Sequence, residues 1–385
     1  MSVDKLKRTM LGLLAVSLFF ISGAVLADMP LNLTEGVTPT SKKVYDLHMT
    51  ILYIVTVIGV VVFAIMAWSI FHHRKSKGAV PAKFHHSTFA EVTWTIIPIL
   101  ILVAMAVPAT KVLIFMEQTG DSDITVKVTG YQWKWKYDYL DDGIDDDKED
   151  SISFFSAMDQ ASNDARQLGA DIDPNTVENY LLDVDNPVVL PINTKIRILT
   201  TAADVIHAWW VPALGWKRDA IPGFVNDNWT YIEEPGIYRG QCAELCGKDH
   251  AFMPIVVNAV TQEQYAEWVD EKKKEQQAAS AGADREWTKD ELMEKGKAVY
   301  AANCSSCHMQ EGQGVDGLFP ALKDSAIVNG DAAAMIDLVL NGKNMMPPFK
   351  DQLNDVDMAA VLTHERNSWG NAASVIQPSD VKAAR

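Results

Sequence analysis

The segment Gln241-Cys-Ala-Glu-Leu-Cys-Gly-Lys-Asp-His-Ala-Phe-Met253 brings two thiols, an imidazole and a thioether into one short run: Cys242, Cys246, His250 and Met253. Such soft and borderline ligands suit copper and do not suit magnesium or calcium. A second imidazole is needed to complete the set. His207, in Asp204-Val-Ile-His-Ala-Trp-Trp-Val-Pro212, is the candidate. Alone, a histidine in an apolar strand is more often a hydrogen-bonded core residue; the downstream cluster reverses that reading. Two thiolates, two imidazoles and a weak axial methionine make an electron-transfer copper set. Zinc also takes Cys and His, but the C-x-x-x-C spacing and the methionine match its usual patterns poorly. A disulfide between Cys242 and Cys246 is the structural competitor until the flanking ligands are counted.

A second group lies downstream. Ala302-Asn-Cys-Ser-Ser-Cys-His308 contains C-x-x-C-H, the attachment pattern of a c-type haem. Cys304 and Cys307 would form thioethers to the haem vinyls, with His308 against the iron. A thioredoxin-like C-x-x-C would need a βαβ setting and no adjacent His. The sixth ligand is expected from a loop methionine, and Asn344-Met-Met-Pro-Pro-Phe349 offers Met346, with Met345 as the alternative. A Met/His pair fills both axial positions and favours electron transfer over oxygen binding. The chain has 4 cysteines, all in these two pairs, so none remains for a disulfide framework.

The elements that position these groups follow from hydropathy and periodicity. The 385 residues allow two or three domains. Residues 1–27 read as an export signal: Lys5, Lys7 and Arg8, an apolar core, then Val25-Leu-Ala27. Met49–Phe71 and Val92–Thr110 carry no charge and are long enough to span a membrane, giving spans at about 49–71 and 92–115 within a hairpin over 44–117. Arg74, Lys75, Lys77 and Lys83 lie between them, which sets that loop on the cytoplasmic side. Everything after the hairpin is then exported. Tyr131-Gln-Trp-Lys-Trp-Lys-Tyr-Asp-Tyr139 alternates aromatic and polar residues, the period of a half-buried strand. Further short runs separated by Pro, Gly, Asn and Asp predict a β-sandwich over 120–270. Residues 141–186 break this rhythm and read as an insertion. Tyr265–Gln277 reads as a strongly charged helix and Ala278–Asp284 has linker composition, so a linker at 271–286 precedes a helical unit at 287–370, with helices at 288–302, 331–341 and 354–367 and a tail at 371–385.

The formal charge is −16, and an acidic run lies between Asp138 and Asp150. That balance argues against nucleic acid and for a solvated surface or a basic partner.

Several stretches together resemble subunit II of haem–copper cytochrome c oxidase: Glu91-Val-Thr-Trp-Thr-Ile-Ile-Pro98, Gly130-Tyr-Gln-Trp-Lys-Trp135, Val205-Ile-His-Ala-Trp-Trp-Val-Pro212, Asp219-Ala-Ile-Pro-Gly223 and Gly240-Gln-Cys-Ala-Glu-Leu-Cys-Gly247, continuing to His250 and Met253. The resemblance covers about 44–270 without the insertion. It implies a cupredoxin-like all-β sandwich holding binuclear copper, CuA. Cys242 and Cys246 would bridge both metals, His207 and His250 would cap one each, and Met253 and the Glu244 carbonyl would give weak axial contacts. It also implies that the Glu244 carboxylate offers itself to a magnesium at the subunit I interface, that electrons arrive through Trp133, and that Glu91 admits protons. The Met-Pro-Pro-Phe stretch and the C-x-x-C-H resemble an all-α cytochrome c domain with one covalent haem c. Together they imply a caa-type oxidase subunit of a bacterial plasma membrane, multi-pass, with its C-terminal domains on the periplasmic side. Subunits I and III and an upstream electron donor are the implied partners. A standalone membrane-anchored cupredoxin–cytochrome carrier is the alternative. A quinol-oxidase subunit would lack the copper ligands, and a copper-chaperone module would not need the haem.

Overall fold

The computed structural model describes residues 32–81, 83–144, 151–167, 169–282 and 284–385. The export signal expected at 1–27, and Asp145 to Asp150 of the acidic run, lie outside these residues.

Helices α1 (Pro39–His72) and α2 (Thr88–Met116) have 34 and 29 residues. At 1.5 Å per residue they reach about 50 and 43 Å, beyond the roughly 30 Å of a bilayer's apolar core. Both outrun the expected spans because polar first turns extend them. Their apolar side chains are uncovered: Phe63 is 70% and Leu102 64% exposed. Pro98 and Pro108 stand inside α2.

The β region begins with β1 (Ile124–Tyr131), β2 (Lys134–Asp141) and β3 (Ser153–Ser156), and continues with β4 (Val188–Pro191) and β5 (Ile196–Ala202). Then come β6 (His207–Val211), β7 (Trp216–Ala220), β8 (Asn226–Thr230), β9 (Gly236–Gln241) and β10 (Pro254–Val260). A five-stranded sheet has the order β3-β2-β1-β5-β8, a three-stranded sheet β4-β10-β9, and β6 pairs β7. The β1–β5 and β4–β10 pairings are parallel and the rest antiparallel.

The core is aromatic. Trp135, Tyr137, Tyr139 and Trp209 are fully buried, as the alternation along β2 requires. A buried hydroxyl or indole needs a partner, and Tyr137, Tyr139 and Trp209 have one, whereas Trp135 Nε1 has none among the described residues. Tyr139 donates its hydroxyl to the Val189 carbonyl at 2.7 Å, and Trp209 Nε1 donates to Tyr137 at 3.3 Å.

Two details of this region depart from the sequence expectation. The alternating 131–139 stretch is not one strand. Tyr131 pairs with Lys134, so Gln132 and Trp133 form the turn of the β1–β2 hairpin. Lys134, a polar position expected to face water, is 5% exposed. The 141–186 insertion contributes to the sheet, because β3 pairs with β2 and makes its edge. The insertion also supplies a one-and-a-half-turn helix, α3 (Gln160–Ala165), capped by Asp159.

Helix α4 (Gln262–Gly282) runs through most of the stretch expected as a linker. Its Ala-rich end favours helix. The chain then leaves regular structure until α5 (Lys289–Asn303), which opens on a capping box between Thr288 and Glu291. A single turn, α6 (Ser305–His308), follows. Next come α7 (Ala332–Asn341), α8 (Asp355–Asn367) and α9 (Pro378–Ala384). The last lies in the stretch expected as a tail and buries Val381. Leu292 and Tyr300 of α5 share a core with Met358, Ala359 and Leu362 of α8. Buried Arg366 is satisfied by the carbonyls of Val328 at 2.8 Å and Ser374 at 2.9 Å.

Candidate metal and haem centres

The first site is the loop of the β9–β10 hairpin. Gln241 pairs with Pro254, and Cys242 N donates to the Met253 carbonyl at 3.0 Å, so the ligand loop is closed at its base. Ala243 N donates to the Ala208 carbonyl at 3.0 Å and ties the loop to the start of β6, where His207 stands. Gly130 of β1 makes room for that ring: a Cβ there would lie 2.7 Å from His207 Cδ2.

The donor atoms converge. Cys242 Sγ lies 3.8 Å from Cys246 Sγ and 4.0 Å from His207 Nδ1, and Cys246 Sγ lies 3.5 Å from His250 Nδ1. His207, Cys242 and Cys246 hold their ligand atoms within 4.8 Å of one another, all three buried. A disulfide needs about 2.05 Å between sulfurs, so the two thiols are free. Cys242 Sγ also lies 3.4 Å from the Glu244 carbonyl oxygen, and Met253 is 1% exposed beside them. Buried free thiols facing imidazoles are the donor set that copper takes.

The electrostatics suit thiolate formation. The hydrogen bond from Cys246 pulls the Cys242 thiol down to about 3, against the cost of burial. Cys246 is pushed up by that same shared proton. Burial acts against a charged His207, but hydrogen bonds with Asp204 and Cys242 more than offset it and hold the imidazole above its usual value.

Around the cluster lie Asp204, Gln132 and Arg166, which the sequence did not single out, beside Trp133, which the resemblance did. Asp204 accepts from His207 Nε2 at 2.9 Å and from Gln132 N at 2.7 Å. The cue was its position three residues before His207. Gln132 and Trp133 reach the other side of the loop, donating to the Cys246 carbonyl at 3.0 and 3.2 Å. Arg166, from the insertion, reaches Asp249 at 3.4 Å and stacks over Phe252 at 4.4 Å. Glu91 is exposed in the first turn of α2.

The second site is built at the end of α5. Cys304 closes that helix, and His308 N donates back to the Cys304 carbonyl at 2.9 Å. Burial pushes both thiols, Cys304 and Cys307, above their usual value. His308 is held neutral by burial. Its Nδ1 bonds the Pro320 carbonyl at 2.8 Å, which leaves Nε2 as the free lone pair. Met346 sits in a tight turn closed by paired bonds with Lys343 at 3.0 Å and packs on the core, whereas Met345 is 68% exposed. Among the described residues after 284, the exposed large apolar side chains are Val315, Leu318, Ile327 and Met345. All four lie in the chain between His308 and Met346.

Residues 124–260 match the family described as cytochrome C oxidase subunit II, periplasmic domain, and residues 27–112 match its transmembrane domain. Residues 291–364 match cytochrome C oxidase, cbb3-type, subunit III. A probable cytochrome c oxidase subunit 2 of Rickettsia prowazekii is 41% identical over 237 residues, covering 62% of this chain and 70% of that protein. Cytochrome c oxidase subunit 2 of Arabidopsis thaliana is 40% identical over 240 residues, covering 62% and 88%. The crystal structure of the periplasmic domain of subunit II of cytochrome oxidase of Bradyrhizobium japonicum is 42% identical, covers 41% of this chain and 99% of that one, and gives a TM-score of 0.34. With α1 and α2 matching the membrane part and the sandwich matching the periplasmic part, the chain belongs to the cytochrome c oxidase subunit II family, in a form that continues into a cytochrome c domain.

Proposed function

We propose that this chain is the electron-receiving subunit of a caa-type oxidase: electrons come in at a covalently held c haem, pass to binuclear CuA, and leave to the oxygen-reducing centre of subunit I. The observation that carries this reading is the convergence of His207, Cys242, Cys246 and His250 at a loop whose Lys248 bonds the Ser306 carbonyl inside the C-x-x-C-H segment. Cys242 and Cys246 would hold the two coppers between them, with His207 and His250 outside, and Met253 and the Glu244 carbonyl as weak contacts. Cys304 and Cys307 would carry the one haem, with His308 and Met346 holding its iron. Both groups supply reversible one-electron chemistry when bound.

The chain's own residues do the rest. Asp204 fixes the ring of His207, so that Nδ1 faces the thiols. Trp133 joins the outer surface of the loop to Cys246 through its indole N–H, which suits it to electron intake. The hairpin, the Ala208 tie and the packing of Met253 keep the donors in one arrangement, so little rearrangement accompanies a change of charge. Glu244 would offer a carboxylate to magnesium at the subunit I contact, and Glu91 would take in protons at the cytoplasmic mouth of α2. The basic loop between α1 and α2 supports a multi-pass orientation in a bacterial plasma membrane with the later domains periplasmic. Exposed apolar faces on both helices suit lipid and the helices of subunits I and III.

The test uses the full chain purified from its membrane in mild detergent. A mixed-valence copper EPR signal and a low-spin c-haem spectrum are expected, together with haem a and a large apolar partner. Cys242→Ser should abolish the copper signal and spare the haem. Recovery of the chain alone, with both signals, would favour the standalone carrier.

A further inference from the structure

Lys134 is a buried cation held by an amide rather than by a carboxylate. It follows Trp133 in the chain and is 5% exposed, and among the described residues it forms no ion pair. Its ammonium donates to Asn303 Oδ1, with the rings of Phe155 at 4.6 Å and Phe349 at 5.8 Å. Asn303 is the last residue of α5, immediately before Cys304. Its own amide is anchored: Nδ2 donates to the Val299 carbonyl at 2.9 Å, which turns Oδ1 outward to the lysine.

A second lysine makes a parallel contact. Lys248, between Cys246 and His250, donates to the Ser306 carbonyl and lies 5.7 Å from the ring of Phe319. Helix C-termini carry unpaired carbonyls and a partial negative charge, so a cation placed there is favoured. The last turn of α5 has no basic residue of its own. The copper domain therefore supplies the charge that the haem-bearing helices lack. A buried ammonium is costly unless its donors are used. Lys134 meets that requirement only while α5 is seated on it, and its burial lowers its pKa to about 8.

We propose that Lys134, assisted by Lys248, is the positioning residue that docks the cytochrome c module on the copper domain of its own chain, by holding the Asn303 side chain at the end of α5 and the Ser306 carbonyl of α6, on either side of Cys304. This rests on the relay described above. The seam so closed is lined by Trp133, Lys134, Asn303 and Ser306, which sets the haem-bearing turn beside the residue that contacts Cys246.

The full chain in detergent is treated with an amine-acylating reagent, and modification at each lysine is read by mass spectrometry. Lys134 should react about tenfold more slowly than Lys217, the weight of one charge-assisted hydrogen bond. Asn303→Ala should bring its reaction close to that of Lys217. In the same protein, Lys134→Met should slow haem-to-copper electron equilibration after flash reduction about tenfold while leaving the copper EPR and c-haem spectra unchanged. Lys248→Met should slow it less, and salt should mimic that variant, because only the exposed contact is screened. Acylation of Lys134 as fast as Lys217 overturns the proposal, as does unchanged equilibration in Lys134→Met with both spectra intact. A wild-type chain lacking either spectrum would count against the relay instead; acylation needs neither group and still decides the docking.

Discussion

Asp204 does for His207 what no ligand can do for itself. Its carboxylate holds Nε2 at 2.9 Å and also accepts from the backbone of Gln132, so one residue orients the imidazole and fastens the Trp133 turn. Outer partners of this kind typically contribute tenfold to a hundredfold in metal affinity. Asp204→Asn keeps the shape and loses the charge, so copper retention against a competing chelator should fall about tenfold or more. The two methionines before the prolines allow a sharper test. Met346 packs inward and Met345 is 68% exposed. Met346→Leu should remove the optical band of methionine ligation and lower the haem potential, while Met345→Leu should change neither. A result in the opposite order would exchange their roles. The candidate ligand residues stand out in sequence because ligand type and close spacing are local properties. Asp204 does not, since an aspartate before a strand looks the same whether it caps a turn or orients a ring.

Among the elements, the β9–β10 hairpin and the α5–α8 pair carry the two candidate centres. Helix α8 buries Glu365, whose carboxyl is pushed up to about 8 by burial. In the unfolded chain it ionises near 4.5, so between those values the folded state holds the extra proton. Stability then falls as pH rises through this window and levels off above it. The thermal midpoint of the cytochrome c module, followed by its haem band in the full chain, should drop between about pH 5 and 8. Glu365→Gln should flatten that slope; an unchanged slope would assign it to other groups. The helices expected at 288–302, 331–341 and 354–367 start within one residue of α5, α7 and α8. The turn within 131–139 was not legible, because an aromatic alternation continues unchanged across a two-residue turn and only the pairing of Tyr131 with Lys134 reveals it.

At the scale of the whole molecule, the proposed relay would join a donor and an acceptor in one polypeptide. Tethering replaces diffusive encounter with an effective concentration on the order of mM. Removing residues 284–385 should leave the copper signal intact and slow oxidase turnover with soluble donors. Unchanged turnover would mean that the appended module is not on the electron path. The insertion also finds a place at this scale: β3 extends the sheet, and Arg166 braces Asp249 beside His250.

The sequence alone offered the two candidate ligand sets and determined the membrane hairpin and the order sandwich then helices. Each depends on residue type at short spacing or on the period of hydropathy, and both survive without knowledge of distant contacts. Only the tertiary structure decided how the modules meet. Lys134 and Asn303 are 169 residues apart, and Lys248 and Ser306 are 58 apart. No local pattern encodes such a pair: a lysine at an alternating strand position is read as facing water until another part of the chain is folded over it.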